Sequence, residues 1–170
     1  MKVLVTYYTD SGNTEKVAKA IYEAIDQAEK EIVPLAEAQN KDLSRYDLIF
    51  YGFPVNASSV PAKAQSFLKA LPQGAKLALF STHGSFRGGP LAVTGIYNAM
   101  SLAKQAMALG SFCCQGKVKE SILEALEKKP EHKPWVEEAR SAVDHPDVHD
   151  LEEARDFTRK MLTKAGSYLS

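Results

Sequence analysis

Three short stretches of the chain carry the residues best suited to chemistry. In the first, Thr9-Asp10-Ser11-Gly12-Asn13-Thr14, three hydroxyls, a carboxylate, an amide and a glycine sit between an apolar run and an amphipathic one. Gly12 permits a tight turn, and Asn13 or Thr14 falls at the start of the following helix. Backbone N–H groups there lack intrahelical partners, and the helix dipole favours an anion. Neutral donors of this kind can hold a phosphate dianion. No Gly-Lys-Ser/Thr sequence occurs, so the lysine of a nucleoside-triphosphate loop is missing. A terminal phosphate monoester therefore fits better than a triphosphate with Mg²⁺. The same residue types also suit an ordinary helix N-cap, and the sequence leaves both readings open.

The second stretch is Phe53-Pro54-Val55-Asn56-Ala57-Ser58-Ser59-Val60-Pro61, and the third is Thr82-His83-Gly84-Ser85-Phe86-Arg87-Gly88-Gly89-Pro90. Both are polar, longer than a simple connection requires, and preceded by apolar runs. His83 could relay a proton, since imidazole titrates near neutrality, or serve through its backbone alone. Arg87 could counter an anionic ligand or be a solvated loop arginine. Phe86 could stack on a ring or pack on the domain. His145 and His149 flank Pro146 and Asp147, and the proline argues against one helix presenting both imidazoles to a metal. No metal site and no catalytic residue is assigned. Hydrolase readings lack support: there is no Gly-x-Ser-x-Gly elbow, no cysteine in the first stretch, and no acidic pair ending the first apolar run.

The elements that must position these stretches follow from periodicity. Val3–Tyr8 is a continuous apolar and β-branched run, the mark of a buried strand. Val17, Ala20, Ile21, Ala24 and Ile25 then repeat at helical spacing. Ile32-Val33 reads as a second strand, Tyr46–Gly52 as a third and Lys76–Thr82 as a fourth. Between the last two, Pro61 opens a helix that buries Phe67, Leu68 and Leu71, and Pro72-Gln73-Gly74 forms a turn. A long helix is predicted from about Leu91 to Leu109, stopped by Gly110, with a fifth strand over Ser111–Gly116. The lysine- and glutamate-rich segment Lys117–Asp150 predicts one or two short helices. Leu151, Ala154, Phe157, Met161, Leu162 and Ala165 line a last helix. Alternating strands and helices imply parallel βαβ units with helices on both sheet faces. Ligands of such sheets bind beyond the carboxyl ends of the strands, which is where all three polar stretches fall. Cys113 and Cys114, adjacent on a strand, point to opposite faces and cannot form an ordinary disulfide; they read as small buried residues on an inner strand.

A strand followed by Thr9-Asp10-Ser11-Gly12-Asn13-Thr14-Glu15 and an amphipathic helix resembles the phosphate loop of the flavodoxin family. Gly52-Phe53-Pro54, Thr82-His83-Gly84 and the order of elements extend the resemblance over most of the chain. It implies an α/β fold that is doubly wound, a three-layer α/β/α sandwich around a five-stranded parallel sheet in the order 2-1-3-4-5. It also implies FMN as cofactor, its phosphate in the first loop and its ring between the second and third. The residues carried over are Thr9, Asp10, Ser11, Gly12, Asn13 and Thr14; then Pro54, Val55, Asn56, Ala57 and Ser58; then Thr82, His83, Gly84, Ser85, Phe86 and Arg87. The implied function is electron transfer with a redox partner protein, either a reductase or an acceptor. Alternatives are an FMN-dependent NAD(P)H or quinone oxidoreductase of the same fold, and a flavin-free interaction or regulatory module. Three features depart from the family pattern. The second loop offers no tryptophan or tyrosine to cover the flavin, and the lone Trp135 lies far along the chain. The charge is neutral where electron-carrier flavodoxins are acidic. The segment after strand five is an insertion, suited to a lid or partner surface.

A chain of 170 residues suits one domain, taken as residues 1–170 with an insertion at about 117–150. Its 21 basic and 21 acidic residues cancel, so neither nucleic acid nor an anionic membrane is an expected partner. No apolar run approaches the ~20 residues of a membrane span, and Met1-Lys2-Val3-Leu4-Val5 reads as a strand rather than a secretion signal. The expected setting is cytoplasmic, as a monomer or weak homodimer.

Overall fold

A computed structural model describes residues 1–26 and 28–168. Five parallel strands, β1 (Lys2–Tyr7), β2 (Glu29–Pro34), β3 (Leu48–Pro54), β4 (Lys76–His83) and β5 (Met107–Gln115), form one sheet in the order β2-β1-β3-β4-β5. The order reverses between β1 and β3, which places the switch point between the loops that follow those two strands. The helices are α1 (Asn13–Glu23), α2 (Leu35–Ala38), α3 (Ala62–Lys69), α4 (Pro90–Leu102), α5 (Glu120–Glu127), α6 (Lys133–Arg140) and α7 (Val148–Ser167).

The inner strands are apolar throughout because both faces are covered, and the strand period of two sorts their side chains. Val3, Val5, Leu48, Phe50, Ala78, Phe80, Phe112 and Cys114 pack against α1 and α7. Leu4, Ile49, Tyr51, Phe53, Leu77 and Leu79 pack against α2, α3 and α4. Each large side chain so buried contributes about 1.5–3 kcal/mol. The segment after β5 has a small core of its own, Leu123, Val136 and Ala139, with Val118 and Trp135 packed on it.

Two expectations need correction. The helix expected to run to Leu109 ends at Leu102, and β5 begins at Met107. Its entry is fixed by Gly74 N–H donating to Gln105 C=O (2.8 Å) and Met107 N–H to Ala75 C=O (2.8 Å). Gly110 is thus no helix stop: it lies within β5, where a Cβ would stand 3.0 Å from Met161 Sδ. In addition β5 is an edge strand rather than an inner one. Cys114 is buried on the α1/α7 side, whereas Cys113, one residue earlier, is only half-buried.

Candidate functional site

The first loop is built around a left-handed residue. Gly12 has φ 88°, a conformation that other L-residues adopt only at a cost. Its N–H donates to Thr9 Oγ1 (3.0 Å), and its carbonyl accepts from Lys16 N–H, starting α1. Among the described residues no side chain caps α1. Among the described α-helices only α7 carries a side-chain cap, the reciprocal box of Asp147 and Asp150. A loop that holds three hydroxyls yet leaves its helix uncapped keeps the first-turn N–H groups open for an anion.

The other residues of this loop are engaged around its edges. Thr14 is fully buried, with its Oγ1 2.9 Å from Thr82 Oγ1, tying the start of α1 to the end of β4. Asn13 Nδ2 donates to Lys117 C=O (2.9 Å), across 104 residues of sequence. Asp10 accepts from Tyr8 Oη (2.7 Å), and that bond raises the phenol's pKa above its ordinary value. Ser11 is exposed.

The second loop is a two-residue hairpin. Asn56 and Ser59 exchange both backbone hydrogen bonds, each 3.0 Å, and Ala57 (φ 47°) and Ser58 (φ 61°) form the turn. Positive φ at both central positions is what a type I′ turn requires, normally met by Asn-Gly. Here an alanine and a serine carry the strain. The turn is braced by α4, where Asn98 Oδ1 accepts from Ser59 Oγ (2.9 Å) and Val60 N–H (3.2 Å). Val55 N–H donates to Thr82 C=O (2.8 Å), continuing the β3–β4 ladder, and Val55 fills the space above Gly95.

The third loop is fastened from behind by the segment that follows β5. Trp135 Nε1 donates to Ser85 Oγ (3.0 Å), and Phe86 N–H donates to Glu138 Oε1. Gly84 fits closely here, since a Cβ would come within 2.6 Å of Val118 Cγ2 and 3.0 Å of Trp135 Cζ2. His83 Nδ1 lies 2.8 Å from Ser85 C=O, so this nitrogen carries the proton and Nε2 is bare. Nε2 is buried with no partner, and burial pushes the imidazole pKa below its ordinary value.

A cavity of about 360 Å³ opens between the three loops. It brings together Asp10, Ser11 and Asn13; Pro54, Val55 and Asn56; and Thr82, His83 and Gly84. The volume falls within the range of small-molecule sites. Thr9, Gly12, Thr14, Ala57, Ser58 and Ser85 shape or brace these loops without lining the cavity. Phe86 and Arg87 are not brought to it. Phe86 is 56% exposed, and Arg87 turns to the last helix, where it pairs with Glu153 and sits 5.3 Å over the Phe112 ring. Gly116, Lys117, Val118, Lys119 and Ile122 complete the wall, although the sequence offered no short-range signal for them. His145, Asp147 and Asp150 cluster at the start of α7, where Asp147 Oδ1 and Asp150 Oδ2 accept the N–H groups of the cap, while His149 is exposed. Among the described residues no helix is long and apolar enough to cross a membrane.

A profile of the flavodoxin domain matches residues 4–159. A flavodoxin-like domain-containing protein, BilS, of Clostridioides difficile (strain CD3) is 32% identical over 97% of this chain and 98% of its own length. Among solved structures, an archaeal flavodoxin superposes with a TM-score of 0.62 at 16% identity, covering 98% of this chain and 99% of its own. A flavoprotein of Lactobacillus acidophilus NCFM, solved in complex with FMN, superposes with a TM-score of 0.54 at 21% identity, over 66% of this chain and 92% of its own.

Proposed function

From the premise that this chain belongs to the flavodoxin family, we propose that it binds FMN and passes electrons to or from a redox partner protein. The observation that carries the reading is the uncapped, hydroxyl-rich start of α1, opening beside a cavity walled by all three loops. The residues present fit the cofactor. Thr9, Ser11 and the first-turn N–H groups of α1 would receive the phosphate, with Gly12 free to hold the turn. Pro54, Val55 and Asn56 would flank one side of the ring and Thr82, His83 and Gly84 the other. Bound flavin would supply one- and two-electron chemistry, and the protein's share is binding, orientation and shielding from water. Purification followed by a visible spectrum tests the proposal: co-purifying or reconstituted FMN is expected, and failure to bind FMN even after reconstitution overturns it.

One observation favours a second reading. Among the described residues no Phe, Tyr or Trp lines the cavity, and the second loop turns on Ala57 and Ser58. A ring left uncovered on that side has room for an aromatic acceptor, as an FMN-dependent NAD(P)H or quinone oxidoreductase needs. Steady-state assays with NAD(P)H and quinones separate the two. Turnover without any partner protein favours the enzyme, and activity only with a partner reductase favours the carrier.

A further inference from the structure

We propose that a cleft flanking the first loop is a second phosphate subsite, placed to hold a nucleotide phosphate beside the one received at the start of α1; this rests on the flavin reading above. The cleft is about 430 Å³, with Ser11, Asn13 and Lys16 on one side and Lys117, Lys119 and His145 on the other. It is continuous with the flavin cavity, since both include Ser11, Asn13, Lys117 and Lys119.

Among the described residues most lysines lack a carboxylate partner, and three of those converge on this cleft. Lys2, Lys19 and Lys41 and four of the arginines, Arg87, Arg140, Arg155 and Arg159, have carboxylate partners. Among the described residues Lys16, Lys117 and Lys119 have none, and their ammonium groups donate no hydrogen bond. Among the described residues Asp144 is the one carboxylate in the lining, and the His145 ring is held by Asp150, with Nδ1 2.5 Å from Oδ2. Three ammonium groups around one cleft repel one another, a cost that an anion between them reverses.

The backbone holds these lysines in place. Lys16 N–H donates to Gly12 C=O (3.0 Å), Lys117 N–H to His145 C=O (2.9 Å), and Lys117 C=O accepts from Asn13 Nδ2 (2.9 Å). Their side chains are exposed and able to swing onto a ligand. A single phosphate monoester is already provided for by the neutral donors of the first loop, so the three cations exceed what FMN alone requires. Val118 and Val143 add an apolar flank, Val143 being 54% exposed, of the kind a ribose or base would cover. The chemistry is thus a nucleotide phosphate. It can come from the adenylate half of a flavin dinucleotide, FAD, or from a separate nucleotide bound alongside FMN.

The test uses the full chain and its Lys16→Gln variant, since Lys16 lines this cleft and not the flavin cavity. The Lys16 side chain is exposed and, among the described residues, makes no hydrogen bond or ion pair, so the variant keeps the fold. FMN and FAD are titrated separately, and ADP is titrated with and without saturating FMN. FAD binding at least as tightly as FMN, or ADP binding to the FMN-loaded protein, supports the subsite and tells the linked source from the separate one. In either case Lys16→Gln should weaken that ligand about tenfold and FMN less than about threefold, as expected for loss of one charge-assisted contact. If FMN binds while FAD is more than tenfold weaker and ADP does not bind, or if the variant changes nothing, the subsite is overturned and the flavin reading stands. If neither FMN nor FAD binds, the flavin reading fails and the subsite that rests on it falls too.

Discussion

Ser11 and His83 make opposite demands on the site. The Ser11 side chain is exposed at the lip of both cavities and makes no side-chain hydrogen bond. Replacing it by aspartate sets a carboxylate against the incoming phosphate while leaving every packing contact in place. Ser11→Asp should weaken FMN by at least about tenfold, or ~1.4 kcal/mol, with the melting temperature of the flavin-free protein unchanged; equal FMN affinity would move the phosphate elsewhere. His83 is buried, and burial lowers its pKa from the ordinary 6.5. The unfolded chain then takes up a proton as pH falls below about 6.5, while the native imidazole resists it. Stability should therefore decline as pH drops from 7 towards 5. Thermal melts of flavin-free His83→Asn over that range should show a shallower decline, and an unchanged slope would assign the acid sensitivity to other groups.

At the scale of elements, the strand–loop–α1 unit was legible because everything in it is local: a continuous apolar run, a glycine at the turn, and an apolar stripe at helical spacing. The end of α4 was not. Ala99-Met100-Ser101-Leu102-Ala103 and Met107-Ala108-Leu109 read as one helix because alanine, methionine and leucine all favour one. The chain leaves the helix without glycine or proline, since pairing of Met107–Gln115 with β4 outweighs local preference. The strained hairpin of the second loop was equally hidden, because Ala57-Ser58 lacks the turn residues that announce a type I′ geometry. That strain is testable. The pair A57N/S58G installs the preferred Asn-Gly turn and should add about 1 kcal/mol, a rise of about 2–4 °C in Tm for a chain of this size. A fall in Tm would show that the side chains of Ala57 and Ser58 support the loop. If FMN affinity drops while stability rises, the strain belongs to the binding geometry.

For the whole molecule, the segment between β5 and α7 has the most consequence, and the sequence placed it least well. Its contacts with the site span 104 residues (Asn13 to Lys117) and 50 residues (Ser85 to Trp135), separations at which no local pattern exists to read. Trp135, remote in the chain, proves to be the strut behind the third loop, and Lys117 and Lys119 become part of the cavity wall. This arrangement supplies a probe, because Trp135 is the only tryptophan. Its indole hydrogen-bonds the Ser85 hydroxyl and packs on the Gly84 backbone, and Gly84 itself lines the flavin cavity. Flavin bound there would sit one residue layer from the indole and would absorb its emission. Titrating FMN should quench tryptophan fluorescence to saturation at one equivalent, with the same Kd as that read from the flavin's own fluorescence. Ser85→Ala removes the hydrogen bond while keeping the loop backbone, and should shift the emission maximum of the flavin-free protein. Quenching that fails to saturate, or that follows a different Kd, would mean that flavin binds away from the three loops.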